Sequence, residues 1–426
     1  MLPIRERKRI KSLMQQEIIP AIGCTEPMAV SLCTAKATEI LGEKPDTITL
    51  FLSTNILKNA MCVGIPGTGM IGLPIAIALG ALVGKSENGL EVLKDLAPDD
   101  IEEGKQFIDE GRITIRLKEN APDILYIEAD CRAKENRVTA IIQGSHTSFS
   151  YIERNGTVLL DKKAENQEEA DEEIQLTFQK TYDYAIYSPI EELVFILDAA
   201  AMNKEAAESS REGLFGHDIS KKVVGAKGRY LFGDNLHSRM VATTTGACDA
   251  RMAGAMVPVM SNSGSGNQGI AATLPVLTYA ENAGCTEEQL IRALVLSNLS
   301  MIYIKQYIGR LSPLCGCVIA STGASCGITY LMGGTYEQVT YAAKNMVANI
   351  TGMICDGAKP SCSLKIASGV STATLSALMA IENTTVTDQE GIINEDIDKT
   401  IMNLALIGTK GMNETDQIVL DILTNK

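Results

Sequence analysis

The chain has 426 residues, 45% of them hydrophobic and 21% charged, a composition typical of a globular protein with room for two or three domains. Its formal net charge of −14 disfavours nucleic acid and anionic membranes as partners, because both attract proteins through excess positive charge. The start, MLPIRERKRIKSLMQQ, is charged and amphipathic rather than an apolar signal core. We therefore predict a cytoplasmic protein.

Helix and strand patterns alternate in the N-terminal part of the chain. Residues 4–19 predict a helix, and the turn IGCTEP leads into a second helix, Met28–Leu41, with Pro27 at its first position. DTITLFLST alternates as a strand does, and GLPIAIALGALVG has the pattern of a buried helix. Several strands are predicted between Ile113 and Leu160.

The C-terminal part is predicted to be all-helical. From about Ser188 almost every segment has helical periodicity, and the acidic stretch DKKAENQEEADEE before it has the composition of a solvated linker. The patterns together predict an α+β fold. Residues 1–187 would form an α/β domain with a mixed sheet, and residues 188–426 an all-α domain.

Three long segments carry no charged side chain: Asn59–Gly84, Met252–Ala280 and Leu311–Tyr336. Gly, Pro, Ser or Asn interrupts each of them, and a helix exposed to lipid cannot break without leaving backbone groups unsatisfied. We expect these segments to be buried around a shared interior site. Arg251 and Arg310 border such apolar segments and are candidates to bind a carboxylate.

The 11 cysteines indicate metal binding, catalysis or packing, because cytosolic thiols stay reduced. Cys355 and Cys362 flank a loop containing Gly and Pro, which would let both thiolates approach a metal, although the spacing matches neither a zinc ribbon nor a bacterial ferredoxin. In LSPLCGC we expect Cys315 or Cys317 to be a ligand, and spacing does not choose between them. Buried packing is the alternative for both pairs. The three histidines disfavour a His-rich zinc site.

Cys24 differs from the other thiols because it stands at a predicted helix N-terminus, before Thr25, Glu26 and Pro27. The partial positive charge of such a terminus stabilises a thiolate and is expected to lower the thiol pKa. A thiolate there would be a base, a nucleophile or a ligand. The alternative is a loop cysteine without a role.

Two polar segments are candidates for binding a small ligand. Ser261–Gly269, SNSGSGNQG, suits a loop whose amides and side chains surround a carboxylate, with a flexible turn as the alternative. It is not a Walker loop, and because no strand is predicted before it, it is not a dinucleotide fingerprint. Asn55, Lys58 and Asn59 form the second group, in which Lys58 is a candidate to pair with a carboxylate and a solvated surface lysine is the alternative.

Four motifs occur in order over nearly the whole chain: IGCTEP, STNILKNAMCVGIPGTGMIGLP, ARMAGAMVPVMSNSGSGNQGI and MICDGAKPSCSLK. Together they resemble the L-cysteine desulfidase family, which is related to the iron–sulfur L-serine dehydratases. A serine-rich segment takes the place of IGCTEP in those dehydratases, so the cysteine here favours the desulfidases. The resemblance implies an oxygen-sensitive [4Fe-4S] cluster held by Cys315, Cys355 and Cys362, with one iron open. Cys317 is not part of the family pattern.

The resemblance also implies an activity, a carbon–sulfur lyase that converts L-cysteine to pyruvate, ammonia and hydrogen sulfide without redox change. The open iron would bind the leaving sulfur, and the Cys24 thiolate would take the Cα proton. The implied substrate-binding residues are Thr25, Glu26, Asn55, Lys58, Asn59, Asn262, Ser263, Gly264 and Asn267. The alternatives are an L-serine dehydratase-type lyase with the same cluster, a pyridoxal-phosphate lyase and a non-catalytic iron–sulfur sensor. A homodimer is left open.

Overall fold

The computed structural model describes residues 2–162, 174–309 and 311–425. Two of the predictions fall outside this part of the chain, namely most of the acidic linker, at 163–173, and Arg310. The described strands are β1 (Pro20–Ile22), β2 (Thr47–Leu52), β3 (Ile113–Leu117), β4 (Tyr126–Ala133), β5 (Asn136–Gln143), β6 (Phe149–Arg154), β7 (Thr157–Asp161) and β8 (Pro258–Met260).

The helices of the first half are α1 (Ile4–Glu17), α2 (Thr25–Leu41), α3 (Thr54–Ala60), α4 (Leu73–Leu82), α5 (Pro98–Asp109), α6 (Phe178–Tyr187), α7 (Ile190–Leu193), α8 (Ile196–Ser209) and α9 (Ile219–Val224). Those of the second half are α10 (Ala226–Phe232), α11 (Leu236–Met252), α12 (Gly266–Ala283), α13 (Glu287–Ile308), α14 (Gly316–Leu331), α15 (Tyr336–Ile350), α16 (Cys362–Ile381), α17 (Ile397–Leu406) and α18 (Asn413–Thr424). A π-helical turn, Ile407–Gly411, follows α17.

Six strands form one mixed sheet in the order β3-β2-β4-β5-β6-β7. β2 runs parallel to β3, whereas the other neighbouring strands are antiparallel. Helix α2 packs on this sheet, and the thiol of Cys33 donates to the Ala140 carbonyl oxygen at 3.3 Å. The predicted α+β class, with a mixed sheet and a helical C-terminal region, is confirmed.

The buried apolar side chains fall into two cores. One joins the sheet to α2, α4 and α5, and the other lies among the C-terminal helices. Helix α1 contributes Ile10 and Met14 to the helical core, and the Nε atom of Arg7 lies 3.0 Å from the carboxylate of Glu192 at the start of α7. A domain boundary at residue 187 stays a prediction.

The three uncharged segments supply α4, α12 and α14, most of whose residues are buried, as expected. Helix α16 is long and apolar enough to cross a membrane by length and composition alone, and 39% of its apolar window is buried. Its exposed apolar residues include Leu364, Leu375 and Leu378. Core helices of soluble proteins pass the same test of length and composition.

A two-stranded antiparallel ribbon connects the start of the chain to the segment Ser261–Gly269. Strand β8 pairs with β1 and ends immediately before Ser261, so the expectation that no strand precedes this segment is wrong. Three residues are too few for an alternating pattern to be visible in the sequence. Because β8 belongs to no parallel sheet, the segment is still not a dinucleotide fingerprint. The ribbon fixes where α12 begins.

The close approach of α12 to β8 generates a stability prediction. A Cβ atom at Gly269 would overlap the carbonyl oxygen of Met260, and a backbone atom cannot move aside as a flexible side chain can. We expect Gly269→Ala to lower the free energy of unfolding by about 1–3 kcal/mol, measured by urea denaturation. The control is Gly352→Ala, since a Cβ there meets nothing within 4 Å. Equal stability of the two variants would contradict the prediction.

Candidate active site

The structure brings Cys24, Cys315, Cys355 and Cys362 to the lining of one narrow cavity of about 100 Å³, here called the thiol cavity. The four cysteines come from both ends of the chain, so the fold gathers them as the motifs predicted. A larger cavity, of about 1030 Å³, lies between α9, α10, α11 and α16 but contains none of the predicted site residues. The chemistry therefore points to the smaller cavity.

Two of the thiol-bearing loops are held side by side by the backbone. The N–H of Cys315 donates to the Met353 carbonyl oxygen at 2.9 Å, and the N–H of Cys355 donates to the Pro313 carbonyl oxygen at 2.7 Å. The two loops thus form a short antiparallel bridge. Cys315 and Cys355 are neighbours because of these bonds, which their separation in the sequence does not reveal.

Four helices begin at the thiol cavity. Cys24, Ser265 and Cys315 are the N-cap residues of α2, α12 and α14, and Cys362 is the first residue of α16. None of these four N-termini has a side-chain cap hydrogen bond, although the N–H groups of Val318, Ser363 and Leu364 donate to backbone carbonyl oxygens. Helix N-termini favour anions, and thiolates and a substrate carboxylate are both anions.

The local structure around Cys24 differs from the sequence prediction in two respects. Helix α2 begins at Thr25, two residues before Pro27, the predicted first helical position. Burial raises the pKa of the Cys24 thiol well above its ordinary value, the charge of Glu26 raises it further, and the charge of Arg251 lowers it only in part. The expectation of a lowered pKa is therefore wrong, because burial and a neighbouring carboxylate outweigh the helix terminus.

Glu26 is a buried carboxylate that accepts three hydrogen bonds. The donors are the Cys24 thiol at 3.0 Å, the Thr25 hydroxyl at 2.9 Å and the Asn59 side-chain amide at 3.0 Å. Burial raises the pKa of Glu26, but the charge of His146 and the hydrogen bonds from Cys24 and Thr25 outweigh it and leave the pKa below its usual value. Glu26 is thus ionised at neutral pH, and it orients the thiol of Cys24.

Arg251, in the last turn of α11, points an incompletely bonded guanidinium at the thiol cavity. Its side chain is 1% exposed, and Nη1 donates to Asn267 at 2.9 Å. Within the described residues Nε and Nη2 have no hydrogen-bond partner, and any side chain at Gly266 would overlap Nε. Two free donors on a buried cation match a carboxylate, which accepts two parallel hydrogen bonds from arginine.

Acceptor atoms without partners face the same cavity. The Oε1 atom of Gln268 and the Oδ1 atom of Asn59 are buried and, among the residues that the structure describes, accept no hydrogen bond, and both side chains line the thiol cavity. Together with the carboxylate of Glu26 they suit an ammonium group. Guanidinium donors and amide and carboxylate acceptors in one cavity match the two charged groups of an α-amino acid.

The thiols of this cavity match a polynuclear iron–sulfur group in their donor chemistry, because such clusters are held by cysteine thiolates. Burial raises the pKa of Cys315, and Cys317 and Cys355 raise it further. Lys365 lies close enough to lower it in part. Among residues 2–162, 174–309 and 311–425, no three His, Cys, Asp or Glu side chains are grouped so that they could hold one metal ion.

Both cysteines of LSPLCGC line the thiol cavity, but their thiols are used differently. The thiol of Cys317 donates to the carbonyl oxygen of Lys365 at 3.2 Å, between α14 and α16. Cys315 is the N-cap residue of α14, and its loop pairs with the loop of Cys355. This arrangement favours Cys315 as the ligand, in agreement with the family pattern.

Eight of the predicted site residues line the thiol cavity: Cys24, Glu26, Asn59, Gly264, Asn267, Cys315, Cys355 and Cys362. Five do not: Thr25, Asn55, Lys58, Asn262 and Ser263. The loop containing Asn262 and Ser263 is held internally, since Asn262 donates to Asn298 at 2.9 Å and accepts from the Ser263 hydroxyl at 2.9 Å.

Asn55 and Lys58 do not line the thiol cavity. Asn55 lines a separate cavity of about 470 Å³, and the ammonium group of Lys58 pairs with the carboxylate of Asp416 in α18. Arg251 and Gln268 are not among the site residues that the resemblance implies. Arg251 borders an uncharged segment, and Gln268 belongs to the segment Ser261–Gly269.

Comparisons with known proteins place the chain in a family. Three UPF0597 proteins are similar to it over 99% of this chain and 99% of their own: one from Bacteroides fragilis (61% identical), one from Porphyromonas gingivalis (52%) and one from Oleidesulfovibrio alaskensis (41%). Residues 87–421 match the serine dehydratase alpha chain family, a range that contains the three candidate ligands and Arg251 but not Cys24. The chain therefore belongs to the serine dehydratase alpha chain family.

Proposed function

We propose that this serine dehydratase-like protein is an L-cysteine desulfidase, a carbon–sulfur lyase that forms pyruvate, ammonia and hydrogen sulfide from L-cysteine in the cytoplasm. The observation that carries the proposal is the buried guanidinium of Arg251, which has two free donors in the cavity that Cys24 shares with three candidate ligands. Family membership supports a lyase of the dehydratase type. Cys24, in place of a serine-rich segment, supports cysteine as substrate.

The substrate would be oriented by its two charged groups. Arg251 would donate to the carboxylate from Nε and Nη2, and the ammonium would approach Glu26, Asn59 and Gln268. A guest held at both groups presents its Cα–H bond in one orientation, and such positioning removes much of the entropic barrier to reaction. The narrow cavity disfavours a bulky side chain.

Cys24 would act as the base. Its thiol is protonated at rest because its pKa is raised, but an ammonium bound nearby favours the thiolate, since an opposite charge stabilises the ionised form. The thiolate takes the Cα proton, the electron pair of that bond forms the Cα–Cβ double bond, and sulfide leaves from Cβ. Aminoacrylate then tautomerises to the imine, which water hydrolyses to pyruvate and ammonia.

Cys315, Cys355 and Cys362 would hold a [4Fe-4S] cluster. Their thiols fit this group in donor chemistry, because iron–sulfur clusters are held by cysteine thiolates and because all three residues line one cavity. When bound, the cluster supplies a Lewis-acidic iron that makes the sulfur a better leaving group.

An L-serine dehydratase with the same cluster is the second candidate, and the matched family name favours it. The cavity residues that bind the two charged groups of the amino acid would serve either substrate. The two functions differ in the leaving group, so the ratio of activity on L-cysteine to activity on L-serine separates them. A second copy of the chain as partner remains a further proposal.

We expect an anaerobic reconstitution to separate the roles of the cysteines. Iron bound per chain should fall in Cys355→Ala and Cys362→Ala, whereas Cys24→Ala should retain iron and lose about 10²-fold or more in kcat on L-cysteine, as removal of a general base does. The measurements are iron content, sulfide release and pyruvate release from L-cysteine and L-serine. Cys326→Ala, a buried thiol of α14 outside the cavity, is the control.

Three outcomes would contradict this assignment. Iron loss in Cys24→Ala would make Cys24 a ligand. Full activity of the metal-free protein would exclude a catalytic cluster. Pyruvate release from L-serine but not from L-cysteine would replace the desulfidase by the dehydratase.

Substitution of Arg251 should weaken binding of the substrate carboxylate. We expect Arg251→Met to lower kcat/KM by about 10- to 100-fold, because the substrate carboxylate would lose its hydrogen bonds to the guanidinium. Arg251→Lys should not restore it, since lysine cannot donate two parallel hydrogen bonds. Arg239→Lys, an exposed position on the same helix, is the matched control. Unchanged kinetics in Arg251→Met would show that the carboxylate binds elsewhere.

The pH dependence should reveal the coupling between Cys24 and Glu26. If the Cys24 thiolate is the base, kcat/KM increases as pH rises toward the raised pKa of this thiol. Glu26→Gln removes a negative charge that raises the pKa of Cys24, so the increase should move to lower pH. Glu103→Gln, an exposed position, should leave the profile in place. A shift of the Glu26→Gln profile to higher pH would contradict this mechanism.

A further inference from the structure

We propose that the C-terminal segment of the chain, from the π-helical turn Ile407–Gly411 through α18, is a clasp that positions Cys315 and Cys355. The clasp acts through two separate contacts, one on each thiol-bearing loop. Its effect on thiol geometry does not depend on the proposed function, whereas its effect on iron binding rests on the proposed cluster.

The first contact is made by Lys58. Its side chain is 1% exposed, and its ammonium group pairs with the carboxylate of Asp416 and donates to the carbonyl oxygen of Cys355 at 3.4 Å. The same loop packs against the backbone of α3, because a Cβ atom at Gly357 would lie 2.6 Å from the Lys58 carbonyl oxygen. Asp416 thus fixes the ammonium group of Lys58, which in turn binds the carbonyl oxygen of Cys355.

The second contact is made by Ser312. Its hydroxyl donates to the carbonyl oxygen of Gly408 at 3.0 Å and accepts from the N–H of Leu314 at 3.1 Å. Cys315 is the next residue. Gly408 lies in the π-helical turn, and π-helical turns occur frequently at functional sites. The end of the chain therefore supports both strands of the bridge that joins Cys315 to Cys355.

A buried ion pair is weak support for stability as such. Removal of both partners of such a pair often leaves stability unchanged, whereas removal of one partner leaves an uncompensated buried charge. Lys58 and Asp416 have side chains that are 1% and 12% exposed. We infer that the pair serves to place the Cys355 loop. This role can be separated from stability by removing both charges at once.

The test is the reactivity of individual thiols in the metal-free full chain, measured with iodoacetamide and mass spectrometry. In the double variant Lys58→Met/Asp416→Leu we expect the urea midpoint to stay close to that of the original chain, because both charges are gone. We expect the alkylation rate of Cys355 to rise about tenfold, because the loop opens locally. The rate at Cys326 should not change.

Two further variants make the assignment specific. Ser312→Ala removes the second contact and should raise the reactivity of Cys315 more than that of Cys355. The control Arg7→Met/Glu192→Leu removes an ion pair whose residues do not line the thiol cavity and should change neither rate. Asp416→Glu keeps the negative charge, so the alkylation rate of Cys355 in this variant should stay close to that of the original chain.

An unchanged Cys355 rate in the double variant, or an equal rise in the remote control, would overturn the clasp. A second readout is the rate at which a chelator removes iron after anaerobic reconstitution, which should increase in the double variant. Absence of iron uptake by the original chain would refute the proposed cluster and leave the thiol-reactivity test valid. Normal iron retention together with raised Cys355 reactivity would limit the clasp to the metal-free chain and overturn its role in the site.

Discussion

The meeting of four helix N-termini at one buried cavity is the constraint on which the site depends. Helices α2, α12, α14 and α16 begin there without side-chain caps, and the partial positive charge of each N-terminus gives the cavity a positive potential. Such a field stabilises anions at fixed positions, without any movement of the protein. The starts of these helices are set by the β1–β8 ribbon and by the bridge between the loops of Cys315 and Cys355.

Burial opposes the effect of this field on the pKa of the thiols and makes the site selective for charged guests. It raises the pKa of Cys24 and of Cys315 well above their ordinary values, which disfavours both thiolates. A positively charged guest favours the thiolate, and in the proposed reaction this guest is the substrate ammonium at Cys24. The free donors of Arg251 impose the complementary demand for a carboxylate. A ligand with both groups meets both demands.

Much of this arrangement could be predicted from the sequence, because the motifs are local. Helix α2, the strands between Ile113 and Leu160 and the buried uncharged segments follow from periodicity. Strand β8 could not be predicted, since three residues show no alternation. The partnership of Lys58 with Asp416 joins distant parts of the chain. The raised pKa of Cys24 depends on burial and on the rotamer of Glu26, which are tertiary properties.

The candidate site residues come from two parts of the sequence, and this division bears on which reaction the site would catalyse. The part that matches the serine dehydratase family, 87–421, supplies Arg251 and the three candidate ligands, and Cys24 and Glu26 lie before it. Groups that bind the charged ends of an amino acid are needed whatever leaves from Cβ. The group that takes the Cα proton, in contrast, needs a pKa that suits the reaction and its leaving group. We infer that exchange of the short segment IGCTEP would replace the proton-accepting Cys24 together with Glu26, one partner of the ammonium, and would leave the candidate ligands and the guanidinium of Arg251 untouched.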